Sequence, residues 1–216
     1  MQQIEEMPLI HIKKLGFAAT LGIWEVTETE IELQKFYAPN KEEQATISSF
    51  THSFRRLQFL ATRLLFQTLV PDAKIKYDQN GKPITDLENI NLSISHTGKL
   101  IAILIDKDCC GIDIESIHPK IERIAHKYLS EVELLECKKD PIIERLHVHW
   151  AVKEAMYKIY GFKNVSFKTD IFVEEISNTE KGKVNATLIH VGEKISRMVH
   201  FERFKDCILA WTEQAS

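Results

Sequence analysis

Cys110-Gly111-Ile112-Asp113-Ile114-Glu115 is the stretch on which the reading of this chain turns. It follows the apolar run Leu100-Ile101-Ala102-Ile103-Leu104-Ile105 and precedes His118-Pro119. The alternation predicts a short strand. Successive side chains of a strand point to opposite faces, so Asp113 and Glu115 share one face and Ile112 and Ile114 the other. Two neighbouring carboxylates repel each other. A hard divalent cation such as Mg2+, which takes oxygen ligands, would compensate them. The other reading is a pair of charges on a solvated sheet face, and this stretch alone supports both.

The composition bounds the answer. At 216 residues, with 44% hydrophobic and 27% charged, the chain suits one large globular domain or two small ones sharing a core. The balance of 28 basic against 31 acidic groups gives a net charge of −3, so no global field points to nucleic acid. Met1 to Glu6 is acidic and lacks the basic start and apolar run of a signal peptide. No apolar run approaches the roughly 20 residues needed to span a bilayer. Cys109, Cys110, Cys137 and Cys207 show no zinc-type spacing and read as reduced thiols. The expectation is a cytoplasmic monomer.

Outward from the carboxylate strand, the periodicity predicts alternating strands and helices. Residues 8 to 38 read as one or two strands with loops. Phe50, Phe54, Leu57, Leu60, Ala61, Leu64, Leu65 and Val70 recur at helical steps and predict a helix over 48–70, ended by Pro71. Arg56 and Arg63 lie seven apart on it and share a face. Ile75-Lys76-Tyr77 is a short strand, and Asn80-Gly81 marks a turn. Leu92-Ser93-Ile94-Ser95 alternates into His96-Thr97-Gly98, where small residues at a strand end leave amides able to hold a phosphate. After Pro119 a helix is predicted over 120–128. Its inward residues are Ile121, Ile124, Ala125 and Tyr128, and Lys120, Arg123 and Lys127 form a basic stripe opposite. Ser130 and Glu133 form a capping box for another helix. Leu146 to Tyr160 is a long helix with Gly161 as its C-terminal cap. Glu154 and Lys158 stack on one face of it, whereas His147 and His149 point apart and make a poor metal pair. The tail alternates as an antiparallel meander, with turns at Ser177-Asn178 and Lys181-Gly182.

Gly111-Ile112-Asp113-Ile114-Glu115, followed by Trp150-Ala151-Val152-Lys153-Glu154-Ala155-Met156-Tyr157-Lys158, resembles the signature of the 4'-phosphopantetheinyl transferases. Gly81-Lys82-Pro83, Ser95-His96-Thr97-Gly98 and Leu129-Ser130 with Glu133 match in order. Ala151 stands where the family usually has Ser, Cys or Thr. The resemblance is to the longer, surfactin-synthetase-activating type. It implies an α+β fold of two pseudo-symmetric halves, each a small antiparallel sheet packed on a long helix. The expected halves are 1–105 and 106–216, with coenzyme A between them and the metal in the second.

The resemblance also implies a reaction: transfer of the phosphopantetheine arm of coenzyme A to a serine of an acyl or peptidyl carrier protein, releasing adenosine 3',5'-bisphosphate. It implies Mg2+, or Mn2+, on Asp113, Glu115 and Glu154. Glu154 is the candidate base and Lys158 the candidate partner of the leaving phosphate. Lys82 and Pro83 are expected near the adenine, and Ser95 and His96 on coenzyme A phosphates. Arg56 is expected on the 3'-phosphate, and Lys153 joins the coenzyme A set as a motif residue. Carrier domains are acidic, so Lys120, Arg123 and Lys127 are the expected docking face. Two rivals are a Mg2+-dependent nuclease and a non-catalytic coenzyme A or carrier-binding protein. Nucleases usually place the glutamate and lysine two apart on a strand and have a strong basic groove. Retention of all three carboxylates and Lys158 argues against a decayed site.

Overall fold

The architecture was analysed in a computed structural model, which describes residues 9–16, 19–161 and 164–213. The chain is α+β and is built around two antiparallel sheets, each with one long helix against it.

The first sheet comprises β1 (Leu9–Leu15), β2 (Ala19–Glu25), β5 (Asn91–Thr97) and β6 (Leu100–Asp106), in the order β1-β2-β6-β5. Between β2 and β5 the chain forms α1 (Glu30–Phe36), α2 (Lys41–Ser49), α3 (Ser53–Leu69) and a hairpin of β3 (Ile75–Tyr77) and β4 (Pro83–Thr85). The second sheet, ordered β7-β11-β10-β9-β8, comprises β7 (Ile112–Ser116), β8 (Ile171–Val173), β9 (Lys181–His190), β10 (Glu193–Phe204) and β11 (Cys207–Thr212). A 3-10 turn (Pro119–Arg123), α4 (Ala125–Tyr128), α5 (Glu131–Glu136) and α6 (Ile142–Tyr160) connect β7 to β8.

Three apolar layers follow from strand alternation. On β6, Ile101, Ile103 and Ile105 join Leu60, Leu64 and Leu65 of α3. The intervening Leu100, Ala102 and Leu104 meet Ile112 and Ile114 of β7 and Leu209 and Trp211 of β11. Thus β6 is covered on both faces, which is why it reads as an unbroken apolar run. On the far side of the second sheet, Ile208 and Ala210 pack with Val152, Ala155 and Met156 of α6. Asp113 and Glu115 therefore lie on the face that carries α6. Backbone approach is close there: a Cβ on Gly111 would meet the carbonyl oxygen of Ala155 at 1.9 Å. Only glycine fits that position.

Several predicted elements differ. Residues 30–36 and 41–49 are helical, each opened by a full capping box: Thr29 with Glu32, and Asn40 with Glu43. The helix expected over 48–70 is two helices. The break at Phe50 turns its ring against Phe59, with centroids 5.8 Å apart. The helix expected over 120–128 is a 3-10 turn followed by a four-residue helix. Ile121, Ala125 and Tyr128 are buried there, while Lys120, Arg123 and Lys127 are exposed. Lys181 and Gly182 begin β9, and the β9–β10 turn falls at Val191-Gly192. Among the described residues no helix is long and apolar enough to cross a membrane.

Candidate active site

The edges of the two sheets meet at β5 and β7, and side-chain hydroxyls join them. Ser93, Ser95 and Thr97 alternate along β5. The Ile112 amide donates to Ser93 Oγ at 3.0 Å, and Ser95 Oγ donates to Asp113 Oδ1 at 2.8 Å. The Thr97 and Ser116 hydroxyls are 2.9 Å apart. This Ser-x-Ser-x-Thr pattern carries the seam, and its period of two was its signal in the sequence.

Beside the seam opens a cavity of about 510 Å3. One wall brings Asp113, Glu115, Glu154, Tyr157 and Lys158 from β7 and α6. The opposite wall brings Phe50, Arg55, Phe59 and Arg63 from the first half. Lys82, Pro83, Ser95 and His96 complete the lining.

Asp113 is 2% exposed. Its Oδ1 accepts from Ser95 and, at 2.8 Å, from Lys158 Nζ, which also donates to the Ile112 carbonyl. Its Oδ2 is buried with no hydrogen-bond partner. Burial, followed by the Asp113 charge, pushes Glu115 up to about 7, against a hydrogen bond from Trp150 and the charge of Lys158. The same two causes, in the same order, push Glu154 up to about 7. Of the cations that line the cavity, Lys158 is the one hydrogen-bonded to this carboxylate group, and it pairs with Asp113.

These residues fit an oxygen-ligated divalent ion by donor type and by the orphaned Asp113 Oδ2. The carboxylates would have to converge further to share one ion. Among the described residues it is Glu136, Cys137 and His149 whose candidate ligand atoms all fall within 4.8 Å of one another.

Two expected coenzyme A contacts point elsewhere. Lys153 is 0% exposed and is turned into the core behind α6. Its ammonium donates to Glu133 Oε2 at 2.8 Å and to the carbonyls of Tyr128, Phe167 and Ile171. It lies next to Glu154 in sequence, but a helix turns about 100° per residue. Arg56 is absent from the cavity lining for the same reason. Its guanidinium is held by Glu30 at 2.8 Å and by the Phe50 carbonyl. Arg55 takes the cavity wall instead, together with Arg63, whose guanidinium lies 3.2 Å from the Phe59 ring centroid and pairs with Glu43 at 2.7 Å.

Lys82 lines the cavity, and its ammonium also caps α6, donating to the Ile159 carbonyl at 2.8 Å. His96 is exposed at the cavity wall. Loss of ring hydration against the cavity wall, and next the Arg55 charge, hold its pKa below the ordinary histidine value. Lys120, Arg123 and Lys127 lie outside the lining.

Residues 109–213 match the family model of the 4'-phosphopantetheinyl transferase superfamily. The matched segment, just under half of the chain, resembles that superfamily. The chain's similarity extends to 4'-phosphopantetheinyl transferase ffp of Bacillus subtilis, 32% identical over 127 residues, which is 57% of this chain and 55% of that protein. The 4'-phosphopantetheinyl transferase Sfp of Bacillus subtilis (strain 168) is 33% identical over 105 residues, 47% of this chain and 46% of that protein. A putative 4'-phosphopantetheinyl transferase of Haemophilus influenzae is 33% identical over 130 residues, 51% and 52% of the two chains. The chain spans about half the length of each of these relatives. Asp113, Glu115, Glu154 and Lys158 lie within the segment matched by the family, and Lys82, Ser95 and His96 lie before it.

Proposed function

We propose that this chain is a 4'-phosphopantetheinyl transferase, moving the phosphopantetheine arm of coenzyme A to a serine of an apo carrier protein and releasing adenosine 3',5'-bisphosphate. The observation that carries this reading is the convergence of Asp113, Glu115, Glu154 and Lys158 on one 510 Å3 cavity. The cavity opens at the seam between the two halves, which we place at 1–105 and 106–216.

The chemistry is attack of a hydroxyl on a diphosphate, which needs positioning and charge neutralisation more than covalent help. Asp113, Glu115 and Glu154 would hold Mg2+ or Mn2+, which when bound offsets charge on the diphosphate oxygens. Ser95 donates to Asp113 Oδ1 and leaves Oδ2 free to ligate an ion. The new bond joins the carrier serine Oγ to the phosphorus of the arm. The bond from that phosphorus to the bisphosphate oxygen breaks. Glu154 takes the serine proton, directly or through a water. Lys158 faces the charge that develops on the leaving phosphate.

At the other wall, Arg55 and Lys82 supply cations for the nucleotide phosphates, with His96 beside them. Pro83 borders the adenine end. Lys120, Arg123 and Lys127 form an exposed basic face for an acidic carrier domain, raising the rate of encounter more than the affinity. We place the enzyme in the cytoplasm as a monomer.

The test is to incubate the chain with coenzyme A, Mg2+ and an apo carrier protein and to weigh the carrier. The expected result is a mass gain of one phosphopantetheine group, lost in Asp113→Ala and Glu154→Ala. An unchanged carrier mass across a panel of apo acyl and peptidyl carriers would overturn the reading.

A further inference from the structure

On the far side of α6 from the cavity lies a cluster that phosphopantetheine transfer does not use. Cys137 caps α5 and Glu136 precedes it, while His149 comes from the middle of α6. A carboxylate oxygen, a sulfur and a ring nitrogen from these three residues all lie within 4.8 Å of one another. The side chains of His149 and Glu136 are 0% and 10% exposed, and Cys137 is buried. We propose that Glu136, Cys137 and His149 form a binding site for a divalent ion of the zinc class.

The donor set is the first reason. Thiolate, imidazole and carboxylate together are ligands of zinc-like ions, whereas Mg2+ prefers oxygen alone. The way Glu136 is divided is the second. Its Oε1 accepts from Arg145 at 2.9 Å, and its Oε2 faces His149 Nε2 at 2.5 Å. One oxygen is thus anchored from outside and the other is presented to the cluster, as carboxylate ligands commonly are. Arg145 is itself fixed by the Lys139 and Ile176 carbonyls.

An independent observation comes from His149. Its Nδ1 is buried without a hydrogen-bond partner. With no partner competing for Nδ1, the ring can carry its proton there and offer Nε2, the nitrogen facing Glu136, to an ion.

Binding would release the Cys137 thiol proton and shift the ring proton of neutral His149 from Nε2 to Nδ1, freeing Nε2 for the ion. The resulting thiolate and carboxylate balance the two charges of the ion. The exposed turn Lys138-Lys139-Asp140 follows Cys137 directly and leaves the cluster within reach of solvent. The ion would pin the end of α5 to α6. Because α5 also carries Glu133, the partner of Lys153, the expected consequence is a firmer α5–α6 contact without a change in the transfer chemistry.

Co2+ tests this on the full chain. One equivalent is expected to give thiolate-to-cobalt charge-transfer absorption. Zn2+ should displace the Co2+ and raise the Tm. Cys137→Ser and His149→Gln should abolish the absorption, and Cys137→Ser should weaken Zn2+ by more than the roughly 100-fold upper cost of losing an outer-shell partner. Asp113→Ala and Cys109→Ser should keep it, which separates this site from the oxygen-lined cavity. Absence of the thiolate absorption in the wild-type chain, or its survival in Cys137→Ser, would overturn the proposal. The wild-type spectrum decides the matter even if a variant fails to fold.

Discussion

Lys158 Nζ lies 2.8 Å from Asp113 Oδ1, joining the last turn of α6 to the edge strand β7. The carboxylate is 3% exposed and the lysine side chain 24%. Removing one member of a wholly buried pair costs about 3–5 kcal/mol, because the other charge stays buried. Partial hydration of Lys158 reduces this, so Lys158→Met is expected to cost about 2 kcal/mol in urea unfolding. It should also slow transfer by about 100-fold or more. An unchanged unfolding midpoint would show that Asp113 does not depend on Lys158.

Lys153 makes the opposite prediction. Its ammonium is fully enclosed by Glu133 and three carbonyls, so Lys153→Met strands a buried carboxylate and should cost about 3–5 kcal/mol. Calorimetric titration of the folded variant should give a coenzyme A affinity near that of the wild type. Selective loss of that affinity, with stability intact, would return Lys153 to the ligand site.

Much of this architecture was legible in the sequence, and the exceptions have physical causes. Strand alternation placed Asp113 and Glu115 on one face, because β7 is apolar on its other side against the first sheet. The long helix and its Gly161 cap followed from periodicity, and Gly161 has φ +72. The first half was harder to read. The helices α1 and α2 are short and mostly exposed, so no apolar stripe marks them, yet their capping boxes have the same spacing as the Ser130–Glu133 box. Which of two adjacent residues faces a cavity depends on the rotation of the helix about its axis. That rotation is set by packing, which is why Arg55 stands where Arg56 was expected and why Lys153 is lost to the core.

The pH response follows from Glu115 and Glu154. Both have folded pKa values raised from 4.5 to about 7 by burial and by Asp113. The folded state therefore holds these protons after the unfolded chain has released them. In a metal-free buffer their contribution to stability is full below about pH 4.5 and declines as the pH rises through about 7. At pH 8, Glu115→Gln or Glu154→Gln should stabilise the metal-free protein by on the order of 1 kcal/mol. Thermal melts across this range should show the wild type losing stability with rising pH and the variants losing less. Added Mg2+ should oppose the loss most at high pH, where the ion competes with fewer protons. Equal pH slopes for wild type and both variants would contradict this.

The basic face makes a kinetic prediction. Arg123→Glu with Lys127→Glu should raise KM for the carrier protein by about 10-fold, most strongly at low salt, and leave KM for coenzyme A unchanged. Steady-state assays with each substrate varied in turn would separate the two. Equal changes in both constants would reject the docking role.

The most direct measurement is a crystal structure of the chain with coenzyme A and Mn2+, with the ion located by its anomalous scattering. The account predicts one Mn2+ bound by Asp113, Glu115 and Glu154, touching the diphosphate, with Lys158 beside it and Arg55 and Lys82 on the nucleotide side. Mn2+ or coenzyme A bound away from these carboxylates would contradict it.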